Sequence, residues 1–236
     1  MPPSVVLVHT LRSSSTMWRH QRETLAEHGI TSIAPDLPGH GSRIDEHFTL
    51  DEALATIHRA VTEAPGPVVL VGCSLGGYLS VHYAGQERRD IIGLIAASCG
   101  TQPLSWLLDS YRLAAGAINA LPDKGASLNH AAVTAFVRDP QLAHDVEAGG
   151  VALEVMDDVL RELHGLDTRG SLRRIEQPVW LVNGQWDHFR LQERGFLKAT
   201  QRGRLVRVKG AGHLVNVSKP AEFDRILLDA IAVFDR

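Results

Sequence analysis

A three-layer α/β sandwich with a parallel sheet is the fold predicted by three features of this 236-residue sequence. Short, continuous apolar runs recur six times, as strands buried on both faces require. Helix-like stretches of mixed polarity separate most of them. The alternation breaks once, between the fourth and fifth runs, where a long strand-free stretch is inserted.

The first strand is predicted at Ser4-Val5-Val6-Leu7-Val8-His9, a run rich in β-branched residues. The second is expected at residues 30–34, the third at 67–72, the fourth at 91–97, the fifth at 178–183 and the sixth at 204–208. Residues 16–28 carry Met17, Trp18, Leu25 and Ala26 on a partly apolar stripe and predict the first helix. The next, over 50–63, opens with Thr49 as N-cap and Glu52 three residues later, a capping box. A helix over 75–87 follows the third strand directly. The last, over 220–235, starts at Pro220, whose fixed φ suits a first helical turn. Residues 1–98 and 173–236 are therefore expected to form the core. The strand-free stretch, 99–172, is expected to be a helical lid over a pocket, or else an independent helical subdomain. Helices are predicted there over 104–121, 128–137 and 151–163, punctuated by Gly125, Pro140 and Gly149-Gly150.

Composition excludes several function classes. There are 24 Lys and Arg against 27 Asp and Glu, a formal net charge of −3, and the basic residues form no stripe, so no nucleic-acid partner is expected. The pair Arg173-Arg174 is read as a solvated helix end. The two cysteines, Cys73 and Cys99, have no metal-ligand spacing and make no disulfide framework; two free buried thiols are expected. No basic segment precedes an apolar stretch, and no apolar run reaches ~18 residues, so neither a signal peptide nor a membrane span is expected. A cytoplasmic protein is the resulting expectation. Oligomeric state is not legible.

The strongest chemical signal is Gly72-Cys73-Ser74-Leu75-Gly76-Gly77. It has the form Gly-x-Ser-x-Gly and falls between a predicted strand and a predicted helix, the setting in which a strained turn lifts a serine hydroxyl clear of a sheet. Side chains at positions 72 and 76 would collide with each other or with neighbouring strands. The helix that follows places Ser74 near a positive dipole end, and the Leu75 amide is aimed where an oxyanion would develop. The plain alternative is a glycine-rich anion-binding turn. Cys73, beside the serine, is expected to face the core or the pocket floor.

A serine hydroxyl needs a base. Of 12 histidines, His213 stands in Lys209-Gly210-Ala211-Gly212-His213-Leu214, a small-residue loop after the sixth strand. The base in turn needs an acid to fix its tautomer. Asp187 follows the fifth strand in Asn183-Gly184-Gln185-Trp186-Asp187-His188; its alternative role is a helix cap. Both residues fall at the C-terminal sheet edge, where ligands bind in open α/β folds. Asp157 and Asp158 fall inside the insertion and are poorer candidates. His188 is read as a rim residue, and His20, His28, His47, His58 and His82 as surface or packing residues.

With these residues in place, the sequence resembles the α/β-hydrolase superfamily over nearly its whole length. Further echoes are Val6-Leu7-Val8-His9, Trp18, and Ala34-Pro35-Asp36-Leu37-Pro38-Gly39-His40-Gly41. The resemblance implies a Ser74–His213–Asp187 triad and an oxyanion hole made by the amides of Leu75 and Leu11. Members often begin with an antiparallel hairpin, for which nothing is left here. A six-stranded, wholly parallel sheet in the order 2-1-3-4-5-6 is therefore expected. A second departure is Thr10, where the family commonly has glycine. A β-branched residue tolerates unusual backbone angles poorly, so either the loop has another shape or the Thr10 hydroxyl reaches the site. The plant hydroxynitrile-lyase branch is similar in lacking the hairpin and carrying threonine there. Its lyases follow the catalytic histidine with lysine, and here that position is Leu214.

The expected function is hydrolysis of a small, mainly apolar carboxylic ester through an acyl-enzyme, with no metal and no cofactor. Thr10, Trp106 and Trp186 are candidate substrate-binding residues, and Leu104, Leu107, Leu108 and Phe189 are further candidates for the pocket lining. A thioesterase, a lactonase, a carbon–carbon bond hydrolase or a cofactor-free perhydrolase would share the same three residues. So would a ligand receptor that retains them.

Overall fold

The computed structural model describes residues 2–86, 90–103 and 105–236, and no side chain at 105–108 or 119. The strands are β1 (Ser4–Val8), β2 (Ser32–Ile33), β3 (Val68–Cys73), β4 (Ile91–Ala97), β5 (Val179–Gly184) and β6 (Gly203–Val208). All pair in parallel, in the order β2-β1-β3-β4-β5-β6. The order and the parallel sense are those expected from the sequence.

Two-residue periodicity explains the three layers. Val6, Val8, Val68, Leu70, Leu94, Ala96, Val179 and Leu181 project to one face and join one buried cluster. Their neighbours Val5, Leu7, Val69, Val71, Ile95, Ala97, Trp180 and Val182 project to the other face. Helix α1 (Arg19–Glu27), after a short 3-10 turn at Ser15–Trp18, covers the second face. Helices α2 (Leu50–Glu63) and α3 (Leu75–Ala84) cover the first. The capping box is half-formed. The Thr49 side chain accepts from the Glu52 amide, whereas the Glu52 carboxylate turns to Arg43 and Arg59.

Between β4 and β5 lie α4 (Ser105–Asn119), α5 (Ala126–Phe136), α6 (Pro140–Glu147), α7 (Met156–Glu162) and α8 (Thr168–Arg174), with no strand among the described residues. Helices α6 and α8 were not expected. Pro140 does not break the chain: it is the first residue of α6, and Asp139 caps that helix through the amides of Gln141 and Leu142. Helix α8 ends on Arg173-Arg174, and its Leu172 is buried in the cluster beneath α3. Helices α9 (Glu193–Ala199), α10 (Val215–Ser218) and α11 (Pro220–Phe234) complete the layers.

The second strand is shorter than expected. The Ile30 amide is taken by the Leu25 carbonyl at the end of α1, and Pro35 has no N–H to extend the ladder. Ser32 and Ile33 alone pair with Val5 and Val6.

Beneath the edge of this layer two histidine rings are buried side by side, His9 and His40, with centroids 4.9 Å apart. Burial, and then the neighbouring His9, pushes His40 down to about 3. The unfolded chain therefore binds a proton here below about 6.5 that the folded chain refuses. Stability is full above that pH and is lost as pH falls toward 3, with a slope from His40 of about 1.4 kcal/mol per pH unit. Urea titrations at several pH values from 7.5 to 5 are expected to show this decline before carboxylates titrate. A flat profile over that window would refute the neutral buried ring.

Candidate active site

The strand order reverses between β1 and β3, and the carboxyl ends there open the crevice where open α/β sheets bind ligands. Ser74 follows β3 at this point. Its φ of 53° and ψ of −113° are sparsely populated for a non-glycine residue. Neighbouring backbone holds the turn: the Ser74 amide donates to the Ala97 carbonyl at 2.8 Å, and the Gly76 amide to the His9 carbonyl at 3.1 Å. A Cβ at Gly72 would lie 2.1 Å from the Gly76 carbonyl oxygen, and one at Gly76 would lie 2.2 Å from that of Val8. Both obstacles are main chain, so α3 reaches this height above the sheet only with glycine at both positions.

Asp187 and His213 arrive from the turns after β5 and β6. The His213 Nε2 lies 2.9 Å from the Ser74 Oγ, and its Nδ1 lies 2.9 Å from the Asp187 Oδ1. That oxygen also accepts the Phe189 amide at 2.8 Å. With Nδ1 protonated toward the carboxylate, Nε2 is free to accept the serine proton. The rings of Phe189 and His188 pack on His213, with centroids at 5.0 and 5.1 Å. Burial, and then His213, lowers the His188 pKa. Asp187, His188 and His213 are also the one group of potential metal ligands among the described residues, with ligand atoms within 4.8 Å of one another. Both ring nitrogens of His213, however, are already engaged, Nδ1 by Asp187 and Nε2 by Ser74.

Several supporting residues carried no signal in the sequence. Ser98 directly follows β4 with φ of 56°, and its hydroxyl donates to the His213 carbonyl at 2.5 Å. Glu193 is buried and accepts from Asn183, Arg190 and Arg207, binding the turn after β5 to the ends of β5 and β6. These links depend on tertiary proximity rather than on local spacing.

The loop after β1 resolves the question raised by Thr10. Thr10 is not among the positive-φ residues; that conformation falls two residues later, on Arg12, at 65°. The buried His9 ring fixes the loop. Its Nδ1–H donates to the Thr10 carbonyl at 2.8 Å, while its Nε2 accepts the Leu37 amide at 3.0 Å. The Thr10 amide donates to the Met17 sulfur at 3.4 Å. Among the described residues, the amides of Leu11 and Leu75 have no acceptor.

Ser74 and His213 open into a cavity of about 900 Å³. Thr10, Leu11 and Leu75 line it on the sheet side, and Tyr111, Val133, Phe136, Met156 and Leu160 line it from α4, α5 and α7. Phe189, stacked on Tyr111 at 5.6 Å, and His188 line it too. Trp186 stands at its rim with 72% of its surface exposed, so it offers an edge rather than a wall. The Trp106 side chain, and those of Leu104, Leu107 and Leu108, lie outside the described residues. Cys73 points into the core on the far face, where burial pushes its thiol up to about 12. Asp157 and Asp158 pair with Arg112, Arg161 and His47, away from the cavity.

Comparison with known proteins agrees with this architecture. The family model described as "Alpha/beta hydrolase family" matches residues 5–226. A pimeloyl-[acyl-carrier protein] methyl ester esterase of Nitrosospira multiformis is 29% identical over 213 residues, spanning 78% of this chain and 77% of that one. A thermophilic esterase from Thermogutta terrifontis superposes with a TM-score of 0.79 at 21% identity, over 99% of this chain and 90% of the other. The enol-lactonase of Burkholderia xenovorans LB400 gives 0.79 at 18% identity, over 98% and 92%. At those identities the two structures speak for the fold. No helix among the described residues is long and apolar enough to cross a membrane. By its family match across nearly its whole length, this chain belongs to the alpha/beta hydrolase family.

Proposed function

We propose that the protein is a serine hydrolase that cleaves a carboxylic ester through an acyl-enzyme intermediate, as carboxylesterases do. The observation that carries this reading is the continuous hydrogen-bonded row Ser74–His213–Asp187 at the head of one cavity. A methyl ester esterase among the relatives supports the same bond type.

In the first step the Ser74 oxygen attacks the ester carbonyl as its proton passes to the His213 Nε2. The carbonyl oxygen becomes an oxyanion, facing the unengaged amides of Leu11 and Leu75. Asp187, accepting the Nδ1–H, stabilises the imidazolium. The imidazolium then protonates the departing alcohol. In the second step water gives a proton to His213 and its oxygen to the acyl carbon, releasing the acid and restoring Ser74. Helices α4, α5 and α7 serve as a lid that keeps the acyl chain from water, and the mainly apolar lining favours a hydrocarbon chain in that space.

A fluorophosphonate probe is the direct test. Its adduct is expected on Ser74, located by peptide mass spectrometry, together with turnover of short-chain p-nitrophenyl esters. An unlabelled protein inert toward those esters would overturn the reading.

A further inference from the structure

The wall of the cavity carries three cationic side chains, Arg12, Arg138 and Lys219, and among the described residues no Asp or Glu lines it. Arg138 lies near the exposed end of α5 and Lys219 is half-buried before α11. Arg12 differs from both in its setting. It directly follows Leu11, faces the same cavity as Ser74, and has neither a hydrogen-bond acceptor nor an ion-pair partner among the described residues. Burial alone lowers its pKa, with no neighbouring carboxylate to offset the effect. Arg19, Arg43, Arg112 and Arg207, by contrast, each hold a carboxylate.

Two unfavourable features therefore meet at one residue. A left-handed backbone, here at a φ of 65°, is sterically strained for a non-glycine residue. A partly desolvated guanidinium without an anion forfeits hydration that nothing in the protein replaces. An apolar residue, or glycine, at position 12 would remove one or both. The planar fork of arginine is instead matched to an oxyacid anion, which it binds with two parallel hydrogen bonds.

We propose that Arg12 is a specificity-determining residue that selects esters bearing an anionic oxyacid group, a carboxylate or a phosphate, carried by an apolar chain. This rests on the reading of Ser74 as nucleophile. It refines the mainly apolar ester to an amphiphilic one: the hydrocarbon lies along α5 and α7, and the charge returns to the loop after β1. Arg138 and Lys219 add to the positive potential that draws such a substrate in.

The test compares esters of equal length: half-methyl esters of straight-chain dicarboxylic acids, the same chains ending in phosphate, and neutral methyl esters. Wild-type kcat/KM is expected to favour an anionic ester over its neutral counterpart at least tenfold. The anion that gains more, carboxylate or phosphate, identifies the substrate's charged group. In Arg12→Gln the anionic-to-neutral ratio should fall at least tenfold, and Arg12→Lys should restore part of it. Equal wild-type rates for charged and neutral esters, or an unchanged ratio in a folded Arg12→Gln protein, would overturn the proposal. A separate arm does not depend on turnover. Glutarate or inorganic phosphate should raise the Tm of the wild type and of Ser74→Ala, and not that of Arg12→Gln. Anion stabilisation without any ester turnover would sink the hydrolase reading and leave Arg12 as an anion site. Turnover without charge preference would do the reverse.

Discussion

Ser74→Ala is expected to lower kcat by on the order of 10⁴- to 10⁶-fold while leaving the fold in place. The lost hydroxyl lies 2.9 Å from an imidazole nitrogen and is raised above the sheet by a strained turn. Alanine keeps the Cβ, so it inherits the positive φ of 53° and relieves none of that strain. Only the hydrogen bond to His213 disappears, a net change of about 1 kcal/mol. For a chain of this length that corresponds to a Tm shift of roughly 2–4 °C. Activity on a p-nitrophenyl ester and a thermal melt of the same sample separate the two effects. Activity within tenfold of wild type would remove Ser74 from the chemistry.

Much of this arrangement was legible because it is local. A buried parallel strand needs an unbroken apolar run, and five of the six expected strands fall within a residue of the observed bounds at each end. The turn at Ser74 was legible because its glycines at 72 and 76 answer to a collision only 2.1–2.2 Å away, a steric demand that no other residue meets. Asp187 and His213 were singled out by where they fall, directly after the last two strands, and the fold sets them in one hydrogen-bonded row with Ser74. Features that depend on chain segments meeting were not legible. Ser98 and Glu193 act on residues far along the chain or across the sheet edge. Arg12 is an ordinary residue in sequence; its positive φ and its lack of an anionic partner exist only in the folded loop. Thr10 raised a question that only the folded loop answers. A threonine there implies either a loop of another shape or a hydroxyl reaching the site, and the sequence does not choose between them; in the folded loop the positive φ falls on Arg12 and not on Thr10. Pro140 separates two helices as expected, and with Asp139 as the cap before it, it also begins the second of them, a helix whose eight residues the sequence did not disclose.

Asp187→Asn is expected to lower kcat by about 10²- to 10³-fold, less than the ~10⁴-fold seen where an asparagine inverts the histidine tautomer. The difference lies in which groups meet the carboxylate. The Asp187 Oδ1 receives two donors, the Phe189 amide at 2.8 Å and the His213 Nδ1–H at 2.9 Å. Its Oδ2 is buried and has no partner among the described residues. An asparagine must place its carbonyl oxygen at the doubly donated position, because an NH₂ there would face the fixed Phe189 N–H. Its NH₂ then takes the empty Oδ2 position, and His213 keeps Nδ1 protonated and Nε2 open to Ser74. The negative charge that stabilises the imidazolium is what disappears, and removing one partner of a buried charge pair costs about 3–5 kcal/mol, of which the chemical step feels the larger part. Asp187→Ala, which leaves both donors unpaired, should be slower still and less stable. The pH profile of kcat in Asp187→Asn distinguishes the two origins. An inverted tautomer leaves Nε2 carrying the proton, so activity would recover steeply in alkaline solution as a different base takes over. A retained tautomer gives a depressed but ordinary plateau. A loss beyond 10⁴-fold with alkaline recovery would show that the Phe189 amide does not dictate the orientation, and a loss under tenfold would show that the carboxylate is not needed.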